Sequence, residues 1–213
     1  MSVVPPLDVY AVYVAAAVAL ILTPGPDTVF VLAQGAGGGR RAGASAGLGV
    51  ATGVLGHTLA VSLGLAALLR ASPTAFTLLQ YAGAAYLCYL GVQTLRGAGG
   101  GIEVDPADAA DGDAAGTPFR QGATVNLLNP KVAIFFLAFL PGFAGDGGAP
   151  RLAFLGVTYA VLAAVYLGAV GTLAGRVRSV FESPRATRAL RYVSGVAVVG
   201  LGVLVVAGAG TSH

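Results

Sequence analysis

The chain has 213 residues, of which 56% are hydrophobic and 10% are charged, and its formal net charge is +3. Soluble domains carry about 25% charged residues and disordered chains are poor in apolar ones, so this composition excludes disorder and favours a membrane protein. We expect no nucleic-acid partner, because no basic patch alternates with aromatic residues, and no metal, because no cluster of Cys and His is present. No cofactor is expected either.

Six apolar segments follow one another, each close to the roughly 20 residues that cross a bilayer. They lie at about 9–36, 44–69, 73–95, 119–143, 152–175 and 192–209. The connections are short except for residues 97–118, whose glycines and aspartates predict a flexible acidic loop. We therefore predict an all-α membrane protein, one domain over residues 1–213, with halves at about 9–96 and 119–209. A soluble helical protein would need a polar face on each helix, which these segments lack.

The first segment is interrupted by Pro24-Gly25-Pro26-Asp27. The two prolines remove backbone donors, and a carboxylate beside the break is costly to bury. Irregular backbone at membrane depth persists only where protein or a water-filled cavity surrounds it. The motif therefore predicts a broken helix built around a polar site.

The second segment carries small residues at a spacing of four, which stacks them on one face and allows close helix contact. One ladder is Gly43, Gly47 and Ala51, and the other is Gly49 and Gly53. We favour packing within one chain over a dimer interface. His57 lies about half-way along this segment. Histidine changes its charge near physiological pH, so His57 is a candidate for proton handling, although a hydrogen-bonded packing role is slightly favoured.

The fourth segment repeats the interruption at Asn126-Leu127-Leu128-Asn129-Pro130-Lys131. Asn126 and Asn129 offer amides to a polar ligand or a cap to the resuming helix. Lys131 is the only lysine of the chain, and charged residues inside a membrane segment are functional candidates by default.

The two charged residues are predicted to lie at similar depth. Lys131 lies 11 residues after Arg120 and Asp27 lies 13 before Arg40, or roughly 16 and 20 Å at the helical rise. Both distances indicate the bilayer midplane. An Asp27–Lys131 pair, direct or through water, is therefore geometrically possible, and opposite charges are less costly to bury together than alone.

The arginines predict the orientation of the segments in the membrane. Nine arginines belong to the odd-numbered connections, and the opposite side holds only Arg70 and Arg151. The nine are Arg40, Arg41, Arg96, Arg120, Arg176, Arg178, Arg185, Arg188 and Arg191. The odd-numbered connections should face the cytoplasm and both termini the outside. Three helices per half then invert the second half, and matched interrupted segments are the best sequence indication of a transporter site.

Other interpretations stay open at this point. For each proline alone, a simple kink is as plausible as a site, whereas Asp27 and Lys131 together favour a function. A membrane enzyme is not expected, because neither a Ser-His-Asp arrangement nor metal-ligand spacing is present. A passive channel is an alternative, although rings of charge or carbonyl filters are not visible.

At these motifs the chain resembles the LysE/RhtB family of amino-acid exporters. The similarity lies first in Leu22-Thr23-Pro24-Gly25-Pro26-Asp27, then in Gly39-Arg40-Arg41-Ala42-Gly43, Gly47-x-Gly49 and Gly53-x-x-Gly56-His57. It continues with Tyr81-x-Gly83-x-x-Tyr86-Leu87, Gly91, Phe119-Arg120-x-Gly122, Asn126-x-x-Asn129-Pro130-Lys131 and Pro141. The resemblance spans about residues 10 to 205. It implies six membrane helices in a bacterial plasma membrane and efflux of amino acids or derivatives in exchange for protons.

We therefore expect a secondary exporter that works by alternating access. Asp27 would attract the substrate ammonium or carry the coupling proton, and Lys131 would hold Asp27 ionised and contact the substrate carboxylate. The candidate site residues are Pro24, Gly25, Pro26, Asp27, His57, Asn126, Asn129, Pro130 and Lys131. Weaker candidates to line the cavity are Gln34, Gln80, Tyr81 and Tyr86. The alternatives are export of another small metabolite or cation, or a channel.

Overall fold

The computed structural model describes residues 2–96, 117–176 and 183–209, and these residues are almost entirely helical, without a strand among them. The α-helices are α1 Leu7–Leu22, α2 Pro26–Ala71, α3 Pro73–Arg96, α4 Pro118–Leu127, α5 Pro130–Ile134, α6 Leu140–Ala144, α7 Gly148–Thr172 and α8 Pro184–Ala209. A π-helical turn, Phe135–Phe139, joins α5 to α6, and a 3-10 turn, Gly145–Gly147, precedes α7. The all-α class is confirmed. The predicted acidic loop lies outside the described residues, except for residues 117 and 118.

Three helical stretches of the described chain are long and apolar enough to cross a membrane, namely Pro26–Gly64, Thr74–Arg96 and Pro130–Thr172. α1 is a shorter apolar helix. The count of six spans and the inversion of the two halves stay predictions.

Both predicted proline interruptions are breaks between helices. α1 ends at Leu22 and α2 begins at Pro26, while α4 ends at Leu127 and α5 begins at Pro130. Proline is favourable at the first position of a helix, where its missing N–H would have no partner. Gly39 separates two parts of α2, residues 26–38 and 40–71, with φ 78° and ψ −177°. This positive φ favours glycine, and the kink falls between the first and second predicted segments.

The two glycine ladders of α2 pack against two different helices. Gly43 lies against the backbone of Gly171 on α7, so that a side chain on either residue would meet the other backbone. Gly49 lies equally close to the Phe119 carbonyl on α4. The prediction of close packing within one chain is therefore confirmed.

The other long contact joins α3 and α8, where Gly91 and Gly195 lie against one another. A buried aromatic cluster centred on the π-helical turn lies between the α2–α7 pair and the α3–α8 pair. In it, the ring centroids of Phe135 and Phe136 are each 5.4 Å from that of Tyr159. The turn precedes Pro141, whose missing N–H leaves the Leu137 carbonyl without its α-helical donor. Of this cluster, Tyr159 also lines a cavity between the helices.

Candidate functional site

Asp27 lies in the first turn of α2, and only 9% of its surface is exposed. The side chain of Asn126, at the end of α4, donates from Nδ2 to Asp27 Oδ2 at 2.9 Å. The partial positive charge of a helix N-terminus also favours an acidic side chain. The two broken segments are thus joined at a buried carboxylate.

Lys131 makes hydrogen bonds at both breaks. Its backbone N–H donates to Asn129 Oδ1 at 3.0 Å, so Asn129 caps α5, which is one of the two roles that the sequence left open for it. Its ammonium Nζ donates to the carbonyls of Leu20, at 3.2 Å, and Thr23, at 2.9 Å. A Cβ on Gly25 would lie 3.2 Å from Nζ, so the glycine leaves room for the ammonium.

The sequence left open whether Asp27 and Lys131 pair directly or through water, and among the described residues they make no direct ion pair. Asp27 is bonded to the Asn126 amide, and the Lys131 ammonium is bonded to carbonyls of the first break. Both side chains nevertheless line one cavity. The two charges are therefore neighbours that are each held by a different partner.

His57 approaches the second break from the middle of α2. Its Nε2 lies 3.1 Å from the Asn126 carbonyl oxygen, and its ring centroid lies 5.9 Å from that of Phe136. A carbonyl oxygen only accepts, so Nε2 carries the proton and donates. His57 is not among the residues that line the cavity.

The cavity lies between α2, α7 and the two breaks. Ten residues line it: Ile21, Asp27, Thr28, Val50, Val54, Asn126, Lys131, Tyr159, Ala163 and Leu167. Its polar wall is therefore formed at the breaks, and α2 and α7 supply most of its apolar wall. Tyr159 lies 11 residues after the start of α7 and 13 before its end, close to the middle of the helix.

Sequence reasoning missed the contribution of α7 and of Thr28. The spacing of Tyr159, Ala163 and Leu167 by four residues puts them on one helix face. Nothing in that spacing distinguishes a cavity wall from a packed core. The available indication was a tyrosine hydroxyl in the centre of an apolar segment.

Three buried polar atoms at the breaks have no hydrogen-bond partner among the described residues, namely Asp27 Oδ1, Asn126 Oδ1 and Asn129 Nδ2. Leaving a buried polar group unpaired costs about 1–3 kcal/mol. Such a group in a native structure calls for an explanation, and one explanation is a polar ligand or water. The unpaired atoms lie where the sequence predicted the site.

The other predicted residues have different positions. Pro24 and Pro130 are exposed and Pro26 is half-buried, and all three shape the breaks without lining the cavity. None of the four weaker candidates lines it either. Gln34 donates instead to Gln121 Oε1 at 3.2 Å.

A polar cavity between interrupted apolar helices is characteristic of membrane transport proteins. The family model described as LysE type translocator matches residues 18–208, and the chain belongs to this family. The resemblance stated from the motifs is therefore confirmed.

The chain is also similar to several bacterial proteins. An uncharacterized membrane protein of Pseudomonas aeruginosa is 42% identical over 160 residues, which cover 73% of this chain and 74% of the relative. The homoserine/homoserine lactone efflux protein of Salmonella typhi is 33% identical over 195 residues, or 90% of this chain and 93% of the relative. No solved structure matches the chain. The family and the apolar helices make this chain a bacterial membrane protein.

Proposed function

We propose that this protein is a secondary exporter of amino acids or close derivatives across the bacterial plasma membrane. The observation that carries the proposal is the buried carboxylate of Asp27, which Asn126 holds between two helix breaks beside a cavity. Its family of translocators supports the transport class. The efflux proteins of Salmonella, named for homoserine and its lactone, support an amino-acid-like substrate.

The free hydrogen-bonding capacity of the site suits a small zwitterion. Asp27 Oδ1 and Asn126 Oδ1 accept, as a substrate ammonium requires. An ammonium has three donors, and Lys131 uses two of them on the carbonyls of the first break. The third donor suits a substrate carboxylate. Pro24, Gly25, Pro26, Asn129 and Pro130 shape this site, and His57 lies at its edge.

For the architecture we propose six spans in two inverted halves that alternate access to the site. The packing supports this, because α2 pairs with α7 and α3 with α8, which are the second and third spans of each half. We propose that protons drive export and that Asp27 carries the proton when the substrate leaves. The odd-numbered connections then face the cytoplasm, as the arginines predict.

Counterflow in proteoliposomes tests the function. Vesicles loaded with unlabelled homoserine, homoserine lactone or another amino acid should accumulate the labelled compound from outside above its equilibrium level. An imposed pH gradient should drive net transport and give the direction of coupling. Vesicles without protein are the control.

The alternatives predict different results. A channel equilibrates the label without transient accumulation, and an enzyme returns an altered compound. Counterflow of non-amino-acid metabolites or cations, with none for any amino acid, would replace the substrate class and leave the transport class intact.

A further inference from the structure

At each helix break, a proline removes the N–H that a continuous helix would supply to the carbonyl four residues earlier. In a helix the N–H of a residue donates to the carbonyl four residues earlier. Pro24 has no N–H for Leu20, and Pro130 has none for Asn126. A carbonyl left unpaired at membrane depth costs several kcal/mol.

Each of these two carbonyls accepts from one nearby backbone N–H and from one side-chain N–H. The Leu20 carbonyl accepts from the Thr23 N–H at 3.2 Å and from Lys131 Nζ at 3.2 Å. The Asn126 carbonyl accepts from the Asn129 N–H at 2.9 Å and from His57 Nε2 at 3.1 Å. Each has one local donor and one side chain from another helix.

The side-chain donors connect the two predicted halves in opposite directions. Lys131, after the second break, holds the first break, and His57, on α2, holds the second. Asn126 is then fixed at both ends, because its carbonyl is held by His57 while its amide donates to Asp27.

We propose that His57 is a positioning residue of the transport site. Its Nε2–H donates to the Asn126 carbonyl that Pro130 leaves without a helical donor, as Lys131 Nζ donates to the Leu20 carbonyl, and this bond orients the Asn126 amide toward Asp27. His57 contacts neither substrate nor proton pathway in this role. This positioning role differs from the proton-handling role that the sequence left open, because His57 would not exchange a proton during transport.

The transport test compares His57→Gln, which keeps a donor at a similar reach, with His57→Leu, which keeps the bulk but not the donor. A net hydrogen bond is worth about 0.5–1.5 kcal/mol. His57→Leu should raise the KM of counterflow by about 3- to 10-fold, with the maximal rate within about twofold of wild type. His57→Gln should restore KM and keep the dependence on an imposed pH gradient. Thr52→Val, on an exposed position of α2, is the control.

Loss of pH-gradient dependence in His57→Gln would overturn the proposal in favour of proton coupling. An unchanged KM in His57→Leu would also overturn it, because the hydrogen bond would then not position the site. If His57→Leu does not fold, the pH comparison between His57→Gln and the wild type still decides.

The transport readouts rest on the proposed function, so a second measurement is independent of it. With His213→Ala, His57 is the only histidine, and nitrogen-15 NMR should find its Nε2 protonated. An unprotonated Nε2 would contradict the inference even if the wild-type protein showed no counterflow.

Discussion

Asp27 occupies the second position of α2, where the unpaired N–H groups of a helix N-terminus favour a negative charge. The Asn126 amide donates to one oxygen of its carboxylate, and the other oxygen has no partner among the described residues. Asp27 is therefore held in place through one carboxylate oxygen, while the other oxygen can still accept a hydrogen bond. A buried carboxylate oxygen that is still able to accept can bind a donor of a polar ligand.

Replacing Asp27 by Asn tests the carboxylate with little change of shape. The variant retains an oxygen for the Asn126 amide but loses the negative charge. Hydrogen bonds to charged groups are worth about 1.5–3 kcal/mol, so counterflow should fall by about 10- to 100-fold. Initial rates in proteoliposomes measure this, and a thermal unfolding scan in detergent shows that the fold is kept. Asp8→Asn, at an exposed position in the first turn of α1, should transport at the wild-type rate. Undiminished transport by Asp27→Asn would rule out its role.

Ala163 tests the apolar wall. It is 3% exposed and lines the cavity, so the larger Ala163→Val and Ala163→Leu variants should reduce the space available to the substrate. We expect counterflow of larger amino acids to fall first, and all counterflow to fall below about a tenth with leucine, because overpacking costs about 1–3 kcal/mol. A substrate panel with each variant measures the change. Val161→Leu, on the exposed face of α7, should leave the panel unchanged, and an equal loss there would argue against a cavity effect.

At the scale of the helices, close backbone approach holds α2 against α7. A Cβ on Gly171 would meet the backbone of Gly43, whereas a Cβ on Gly168, one turn away on α7, would have no atom within 4 Å. Helices inside a membrane gain little from the hydrophobic effect between them, so such packing carries much of their association. The α2–α7 contact also fixes two walls of the cavity, and its loss should affect both stability and transport.

Gly171→Ala should therefore destabilise the protein and Gly168→Ala should not. A clash with backbone cannot be relieved by a side-chain rotation, and overpacking of about 1–3 kcal/mol corresponds to roughly 2–10 °C in unfolding temperature. Thermal unfolding of the purified variants in detergent measures the difference. Equal unfolding temperatures for the two variants would show that the α2–α7 contact is not limiting.

At the scale of the whole molecule, distant parts of the chain come into contact at the two ends of α7. Arg151 donates to the Ala144 carbonyl at 3.0 Å and to the Ser2 carbonyl at 2.9 Å, so the N-terminal residues lie beside the start of α7. Gly35 and Gly43, on either side of the Gly39 kink, lie against Gly171 at the end of α7. The N-terminus and the first connection thus lie at opposite ends of α7, which suits the proposed alternation of the spans.

Labelling of single cysteines tests the orientation. In a Cys88→Ala background, Ser2→Cys should react with a membrane-impermeant maleimide on intact spheroplasts, because the N-terminus is predicted to lie outside. Gly37→Cys, an exposed position with no atom within 4 Å of its Cβ, should react only after permeabilisation. The parent without cysteine controls for background. The reverse pattern would contradict the orientation predicted from the arginines.

Much of this arrangement could be predicted from the sequence, but not all of it. The breaks at Pro24 and Pro130 follow from the chemistry of proline, and the capping role of Asn129 follows from its position before a helix start. The partners of Lys131 and His57 could not be predicted, because a residue type specifies donors and acceptors but not which carbonyl a side chain reaches. Tyr159 and Ala163 were missed because a cavity wall and a packed core have the same helical spacing.

The sequence by itself therefore determined the membrane class, the helical fold, the family and the place of the two breaks, since these depend on local composition and on backbone chemistry. Only the tertiary structure decided that Asp27 pairs with Asn126, that Lys131 binds a carbonyl of the first break and His57 one of the second, and that α7 closes the cavity. The physical reason is that these contacts join residues about 70 to 130 positions apart in the chain. Their geometry depends on how closely the glycine faces let whole helices approach, which no local pattern specifies.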